Sequence, residues 1–255
     1  MSGMEFAGKK VLVTGSARGI GAAAAKMFAA AGADVALCDL GDAEPVAAEI
    51  RALGRQAIVL PCDVSDAAAM ASVVEQTAAA FGRVDVFVAN AAYQYRAPFW
   101  EIPLEEYHKV VGVTMWGPLY GIRAAAVQMM KQPARGNIVV VSSGQSHVPC
   151  IHSMPYNMAK AAIDHMARTA AAELLPHKIR VNVIHPGWTD TPGERKFFTD
   201  SEIAEKGARI PWGRLAKPEE VARGILFLAS DASDYVNAVT LPIGGGINLE
   251  RPWNM

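Results

Sequence analysis

The sequence places a phenol and an amine one helical turn apart. Tyr156 and Lys160 stand four residues apart in the segment SMPYNMAK (153–160), where Pro155 suits the first turn of a helix. The ordinary pKa of tyrosine is near ~10, and an ammonium about 4 Å away would lower it by roughly three units, a ceiling because desolvation acts the other way. The pair therefore predicts general acid–base chemistry, with a surface contact lacking any chemical role as the alternative.

Ser143 is the third candidate catalytic residue. It ends the β-branched run GNIVVVSS (136–143) and precedes Tyr156 by 13 residues, so a returning loop can bring its hydroxyl beside the phenol. Capping a turn or helix is the alternative role for a serine in this place. Taken together at one end of a sheet, the three residues favour chemistry over packing.

The elements that must position these residues alternate between short apolar runs and longer helical patterns. Strands are predicted over 9–15, 34–39, 56–63, 84–92, 136–143, 178–187 and 238–243. Helices are predicted from 19 to about 32, over 42–53, 66–81 with Ser65 as N-cap, 103–131, 155–175 and 217–230. This alternation predicts one α/β domain over 1–255, with parallel strands, helices on both faces, and ligands beyond the carboxyl ends of the strands.

A glycine-rich loop follows the first predicted strand. The segment TGSARGIG (14–21) contains Gly15, Gly19 and Gly21 and leads directly into a helix. Glycines there permit a tight turn and close approach of a pyrophosphate, and the helix N-terminus offers N–H donors. The placement predicts a dinucleotide site, because a glycine turn that only packs strand on helix would not need this context.

Acidic and basic residues beside this loop bear on the cofactor. Asp39 ends the second strand, 18 residues after Gly21, where a carboxylate can bind both ribose hydroxyls and repel a 2′-phosphate. Capping the next helix is its alternative role. Arg18 complicates the choice because a guanidinium can bind that phosphate. We predict NAD rather than NADP.

Two further strand ends carry candidate residues. Asp63 and Val64 follow the third strand, where the carboxylate can accept from the adenine amino group and the valine can lie against the ring. Asp63 is equally suited to capping the helix at 65. Asn90 follows the fourth strand and is expected to tie neighbouring strand ends together.

Bulk properties exclude several classes. The chain has 255 residues, a net charge of −1 and three cysteines, none in a C-x-x-C pair. We expect a reduced, cytoplasmic setting and no nucleic-acid or membrane partner. His147, His152 and His185 lack a carboxylate at ligand spacing, so no catalytic metal is expected.

The motifs together resemble the short-chain dehydrogenase/reductase family along nearly the whole chain. The resemblance is carried by TGSARGIG, Asp39, CDV (62–64), ANAA (89–92), Ser143, YNMAK (156–160), HPGWTDTP (185–192) and GGG (244–246). It implies NAD(P)-dependent oxidoreduction of an alcohol/carbonyl pair and a seven-stranded Rossmann-like sheet of order 3-2-1-4-5-6-7. It also implies a homotetramer formed through two long helices and the C-terminal region, where Trp253 is expected to reach a neighbour.

The resemblance also implies roles for individual residues. Tyr156 is the acid/base, Ser143 holds the substrate oxygen, and Lys160 bonds the nicotinamide ribose and lowers the tyrosine pKa. Thr191 contacts the nicotinamide carboxamide. The predicted cofactor-binding set is Gly15, Ser16, Arg18, Gly19, Ile20, Gly21, Asp39, Asp63, Val64, Asn90, Tyr156, Lys160, Pro186, Gly187, Thr189 and Thr191.

Three positions depart from the family pattern. Thr114 stands where an asparagine is usual and is the fourth predicted catalytic residue, with its hydroxyl or a local carbonyl holding the water of a proton relay. Ala92 and Gly244 replace a usual glycine and aspartate, and both changes are expected to be tolerated.

The substrate side is less well defined by the sequence. Gln94, Gln145, His147, His152 and Trp188 lie on loops expected to face the nicotinamide and indicate a sugar or polyol, with ordinary loop surface as an equal alternative. Residues 188–216 are expected to form a substrate-binding lid. The predicted activity is hydride transfer between NAD(H) and a secondary alcohol or ketone; a catalytically impaired nucleotide-binding protein and an NADP-dependent carbonyl reductase are the alternatives.

Overall fold

The structure, a computed structural model, describes residues 5–133 and 135–247; Trp253 lies outside these ranges. The strands are β1 (Lys10–Thr14), β2 (Asp34–Asp39), β3 (Ala57–Pro61), β4 (Val86–Ala89), β5 (Asn137–Val141), β6 (Arg180–Pro186) and β7 (Thr240–Ile243). The helices are α1 (Gly19–Ala30), α2 (Glu44–Ala52), α3 (Ala67–Phe81), α4 (Leu104–Val111), α5 (Gly117–Met130), α6 (Met154–Glu173), α7 (Asp200–Ala208) and α8 (Pro218–Ala229).

All seven strands form one parallel sheet in the predicted order, β3-β2-β1-β4-β5-β6-β7. The strand order reverses between β1 and β4, which leaves a crevice beyond their carboxyl ends where ligands of such sheets bind. The predicted fold class is confirmed.

The sheet is buried on both faces. Val11 and Val13 face a core formed with α1 and α8, whereas Leu12 between them faces a second core formed with α3, α5 and α6. Side chains of a strand alternate between faces, so two covered faces require a continuous apolar run. This explains why the strands were recognisable as unbroken β-branched segments.

The predicted helix over 103–131 is continuous, although two glycines and a proline interrupt its sequence. Between α4 and α5 the chain makes a π-helical turn (Gly112–Trp116), which inserts an extra residue and rotates the following helix. By length and composition, the stretch Leu104–Met130 is apolar enough to cross a membrane, and 44% of its most apolar window is buried inside the fold.

One local detail differs from the sequence expectations, and one segment can now be described more fully. Asp66, not Ser65, caps α3, because its carboxylate accepts from the backbone N–H groups of Ala68 and Ala69. The segment 188–216 contains a regular helix, α7, which begins with a reciprocal capping box between Thr199 and Glu202.

Candidate active site

A cavity of about 570 Å³ opens at the carboxyl ends of the central strands. Its lining includes twelve residues predicted as site residues: Ile20, Asn90, Gln94, Ser143, Gln145, Tyr156, Lys160, Pro186, Gly187, Trp188, Thr189 and Thr191. Most of them come from the loops after β4, β5 and β6 and from the first turns of α6. The cavity is therefore the candidate active site.

Ser143 and Tyr156 meet at this cavity. Ser143 and Tyr156 both line the cavity, where the Ser143 hydroxyl acts to lower the pKa of the phenol, and this hydroxyl accepts from the backbone N–H of Gln145 at 3.2 Å. Pro155 occupies the first turn of α6 and is buried, which places the next residue, Tyr156, at the cavity wall. The juxtaposition predicted from the 13-residue spacing is present.

Lys160 lies one turn further along α6 and is only 2% exposed. Its ammonium donates to the carbonyl oxygen of Val141 at 2.7 Å and lies 5.3 Å from the centre of the Tyr156 ring. Burial lowers the pKa of Lys160 to about 7, although the negative charge of Asp164 acts in the opposite direction. Burial therefore weakens the preference of this amine for its charged form, and Asp164 restores part of it.

The phenol is not acidified in the protein alone. Burial raises the pKa of Tyr156 above its ordinary value, and the Glu194 charge adds to the increase, while Arg96 and the Ser143 hydroxyl oppose it. The sequence expectation of a lowered pKa was wrong for this state, because desolvation exceeds the effect of nearby positive charge.

The glycine loop leaves no room for side chains. Gly15 has φ +66°, and a Cβ on it would lie 2.8 Å from the Ala91 Cα; a Cβ on Gly21 would lie 2.1 Å from the Gly15 carbonyl oxygen. The Asn90 amide donates to the carbonyl oxygens of Thr14 and Gly15 at 2.9 and 3.1 Å, which joins β4 to β1 as expected. Glycine is therefore required at 15 and 21 by close packing against β4 and the loop backbone, which holds the loop at the N-terminus of α1, where a pyrophosphate would find free N–H donors.

Asp39 supports this loop. Its carboxylate accepts from the backbone N–H groups of Ala17 at 2.8 Å and Gly41 at 2.8 Å, and α2 starts at Glu44, so Asp39 does not cap that helix. Arg18 is exposed at the N-cap position of α1. The Ser16 hydroxyl is buried and donates to the Cys38 carbonyl oxygen at 3.3 Å, which fixes the loop against β2.

Asp63 and Val64 have structural contacts. The Asp63 carboxylate accepts from the backbone and hydroxyl of Ser65 at 2.9 and 2.7 Å, in a turn that precedes α3. Val64 is 6% exposed and packs against Gly117, where a Cβ would lie 2.8 Å from it. Asp63 is exposed and keeps acceptor sites for a ligand, whereas the face of Val64 is largely covered.

The wall opposite the glycine loop comes from the end of β6. Thr191 approaches the loop, since a Cβ on Gly19 would lie 3.4 Å from its methyl carbon. Gly187 packs directly on Gly244, with only 2.5 Å between an added Cβ and the Gly244 Cα. This close backbone contact explains why position 187 requires glycine, whereas a Cβ on Gly244 would meet the Gly187 Cα only at 3.6 Å. The Thr189 hydroxyl donates to the Gly187 carbonyl oxygen at 3.0 Å and so stiffens the wall.

Thr114 has a different role from the one expected. It lies in the π-helical turn, is 0% exposed, and is not among the residues that line the cavity. Its hydroxyl accepts from the backbone N–H of Tyr93 and donates to the Tyr93 carbonyl oxygen, both at 2.9 Å. The donor and one acceptor site are thereby used to hold the loop after β4, so the geometry does not support a water relay at this hydroxyl.

The substrate side combines predicted and unpredicted residues. Gln94, Gln145 and Trp188 line the cavity, but His147 and His152 are exposed and do not. Sequence reasoning missed the charged and aromatic lining residues, namely Arg96, Glu194, Lys206 and Phe198. Arg96 stands two residues after Gln94, and Glu194 lies within the predicted lid, so a search for charged residues near both loops would have found them.

The histidines also differ from expectation, because the fold supplies a carboxylate. Asp164 on α6 lies with its Oδ2 2.8 Å from the His185 Nε2 and 3.8 Å from the His147 Nδ1, and the three ligand atoms lie within 4.8 Å of one another. Burial raises the pKa of Asp164, but the hydrogen bond with His185 and the effect of the Ser142 and Ser146 hydroxyls lower it by more, so the net shift is downward. The direct hydrogen bond between His185 and Asp164 explains how both polar side chains can be buried.

The sequence matches known families and proteins. Residues 15–248 match the profile of a family described as enoyl-(acyl carrier protein) reductase. The chain is 32% identical to a solved short-chain type dehydrogenase/reductase from Mycobacterium marinum, with a TM-score of 0.92 over 96% of this chain and 97% of that one.

Three curated relatives are similar over nearly their whole length. A 2,5-dichloro-2,5-cyclohexadiene-1,4-diol dehydrogenase of Sphingobium indicum is 38% identical, over 94% of this chain and 96% of the relative. A cis-4-hydroxycyclohexanecarboxylate dehydrogenase of Sinomonas cyclohexanicum is 39% identical, over 96% and 98%. An L-rhamnose 1-dehydrogenase (NAD(P)(+)) of a Sphingomonas species is 38% identical, over 95% and 98%.

Proposed function

Because the chain belongs to the short-chain dehydrogenase/reductase family, we propose that it oxidises, with NAD, a secondary alcohol whose carbon is part of a ring. The protein is an oxidoreductase that transfers a hydride between a nicotinamide cofactor and a CH–OH group. The observation that supports the site most strongly is that Ser143, Tyr156 and Lys160 line one cavity, together with Ile20 from the segment of the glycine loop. Family membership favours this function over the non-catalytic alternative.

The choice of a ring alcohol has two supports. The three relatives are named for substrates whose hydroxyl is carried by a six-membered ring. The cavity is wide enough for such a ring, and Trp188, Phe198 and Val148 provide apolar surface for its carbon face. A sugar in its ring form or a cyclic polyol belongs to this class, which keeps part of the expectation from the sequence.

The chain's own residues suit the proton half of the reaction. In the oxidative direction, the Tyr156 phenolate accepts the proton of the substrate hydroxyl, and Ser143 donates a hydrogen bond to the substrate oxygen. Lys160 supplies positive charge behind the phenol, and Asp164 favours that charged form. The nicotinamide ring, when bound, supplies the site that accepts or donates the hydride.

The glycine loop, Asp39 and Thr191 would hold the dinucleotide. Asp39 stands beside the loop with both carboxylate oxygens held by backbone N–H groups, so its charge is fixed where a 2′-phosphate would approach. The exposed Arg18 is less constrained, which supports NAD over NADP. Asp39→Asn should narrow the ratio of NADH to NADPH affinity by about tenfold, as measured by fluorescence titration; an unchanged ratio would refute the assignment.

Steady-state assays on a panel of ring alcohols test the activity. Tyr156→Phe should lower kcat by about a hundredfold or more with little change in NADH affinity. Tyr120→Phe is the matched control, since Tyr120 stacks on Trp116 outside the cavity. Full turnover by Tyr156→Phe on a good substrate would show that another group is the base.

We also propose a cytoplasmic homotetramer. Apolar side chains on the outer surfaces of α5 and α6 support an interface there, including Val127, Met130 and Met158, which are 42%, 42% and 53% exposed. The three cysteines are free thiols, in keeping with a reducing compartment. Sedimentation velocity would test the assembly, and a monomer at micromolar concentration would contradict it.

A further inference from the structure

An ion pair crosses the substrate side of the cavity. Arg96 comes from the loop after β4, and Glu194 comes from the predicted lid after β6, 98 residues later. The Arg96 NH2 group lies 3.3 Å from the Glu194 Oε2, and both side chains line the cavity with exposed fractions of 18% and 20%. The fold alone brings these two charges together.

Both partners are held in place. The Trp188 indole donates to the Glu194 Oε2 at 2.9 Å. The Arg96 guanidinium lies over the rings of Phe197 and Phe198, 4.8 and 5.3 Å from their centres. The side-chain amide of Gln94 is best satisfied with its oxygen turned toward Arg96. In that orientation, the Gln94 oxygen accepts a hydrogen bond from the Arg96 Nε at 3.0 Å. The pair is a preorganised feature of the cavity rather than a mobile surface contact.

The pair shares the cavity with the reacting group. Arg96 and Glu194 line the same cavity as Ser143 and Tyr156, and their charges act in opposite directions on the pKa of the Tyr156 phenol. A substrate bound at Tyr156 and Ser143 therefore lies in the cavity that this pair also lines.

The pair keeps hydrogen-bonding capacity for a ligand. Trp188 and the shorter Arg96 contact both use the Glu194 Oε2, and among the described residues the Glu194 Oε1 has only a 3.5 Å contact with Arg96. A carboxylate accepts at about four positions and a guanidinium donates five N–H bonds. An acceptor and a donor are thus available side by side.

A hydroxyl group is the ligand that uses both at once, because it donates one hydrogen bond and accepts others. The hydroxyl being oxidised is already committed to Tyr156 and Ser143. An anionic group would be attracted by Arg96 and by Lys206, which also lines the cavity, but it would be repelled by Glu194 where that carboxylate lies next to Arg96. We propose that Arg96 and Glu194 form a subsite for a second hydroxyl group, so that the substrate is a ring carrying at least two hydroxyls; this proposal rests on the proposed function.

The test compares cyclohexanol with the positional isomers of cyclohexanediol, using the full chain and NAD. The wild-type protein should show a kcat/KM for at least one diol about tenfold or more above that for cyclohexanol. Glu194→Gln, which keeps an acceptor for Trp188, should lower the diol value by about tenfold and the cyclohexanol value by less than about threefold. Arg96→Met should act in the same direction. Glu205→Gln is the matched control, since Glu205 pairs with Arg209 on the surface of α7.

Several outcomes would overturn the subsite. An equal loss on diol and cyclohexanol would show that the pair only holds the predicted lid in place. A wild-type protein without a diol preference would exclude a second-hydroxyl site while leaving the proposed function intact. A preference for cis-4-hydroxycyclohexanecarboxylate that increases in Glu194→Gln would make Arg96 an anion receptor instead. If no ring alcohol is oxidised, the proposed function fails and the subsite fails with it.

Discussion

The buried group around Lys160, which we call the floor, and the predicted lid (188–216) both carry charges, but in different surroundings. The floor consists of Lys160, which lines the cavity, and of Asp164 and His185, which do not line it; their exposed fractions are only 2%, 3% and 3%. In the predicted lid, Arg195 forms ion pairs with Asp190 and Asp200. The side chains of these three residues are 45%, 37% and 86% exposed, respectively. A buried charge carries a large desolvation cost and a strong partner effect, while an exposed pair contributes little. Burial, not the number of charges, should decide which substitutions matter.

The largest effect is expected at Lys160. Its pKa falls from 10.5 to about 7 on folding, so between these pH values the unfolded chain holds more protons and stability rises with pH. At about 1.4 kcal/mol per pKa unit, the free energy of unfolding should rise by about 5 kcal/mol between pH 7 and pH 10.5. Lys160→Met should remove this increase. Denaturant titrations at pH 7 and pH 10 measure it. Lys131→Met, at an exposed position, is the control, and an unchanged slope in Lys160→Met would contradict the burial of its charge.

The next effect concerns Asp164. Burial alone would raise the pKa of this carboxylate, but its hydrogen bond with His185 contributes to a net decrease. The ionised carboxylate therefore stabilises the fold at pH values above its ordinary pKa of 3.8. This stabilisation is lost as the pH falls through the lower pKa of the folded protein. Asp164→Asn should reduce the free energy of unfolding at pH 7 by about 2–3 kcal/mol, and it should lower the pKa of Lys160 further. Asp234→Asn, in an exposed pair with Arg135, should change stability by less than about 1 kcal/mol. Equal losses in the two variants would remove the distinction between floor and surface.

Glycine substitutions extend the comparison between buried and exposed positions to residues that carry no charge. A Cβ on Gly21 would lie 2.1 Å from the Gly15 carbonyl oxygen, whereas one on Gly193 in the predicted lid would meet nothing closer than the Thr191 hydroxyl at 3.5 Å. Gly21→Ala should therefore destabilise the protein by about 1–3 kcal/mol and weaken NADH binding strongly. Gly193→Ala should leave both within experimental error. Thermal unfolding with and without NADH measures the two effects, and a tolerated Gly21→Ala would show that the loop can relax.

The smallest effect is expected in the exposed lid pairs. Arg195→Gln removes contacts with Asp190 and Asp200, yet solvent screening should limit the loss to less than about 1 kcal/mol. High salt should reduce the difference from wild type still further. A loss of several kcal/mol in denaturant titrations would mean that the predicted lid is held as firmly as the floor.

Much of the candidate active site could be predicted because its geometry is local. Tyr156 and Lys160 share one face of α6 by helical periodicity, and the glycine loop follows β1 directly, so chain order already places these groups together. Asn90 joins β4 to β1 because those strands are neighbours at the point where the order reverses. The sheet order came from the family resemblance and is confirmed.

The less predictable features depend on contacts between distant segments. Asp164 meets His185 across the gap between α6 and β6, which made the expectation of no accompanying carboxylate wrong. Thr114 turns its hydroxyl to the Tyr93 backbone because a π-helical turn rotates it. His147 and His152 lie outside the cavity, although their loop returns to it.

By itself, the sequence determined the chemical groups of the active site and their order at the strand ends, because helix and strand periodicity act over a few residues. Only the tertiary structure decided how strongly those groups are desolvated and which charges face them. Burial is a property of the whole packed chain, so the raised pKa of Tyr156, the lowered pKa of Lys160 and the Arg96–Glu194 pair arise only once distant segments close over the same cavity.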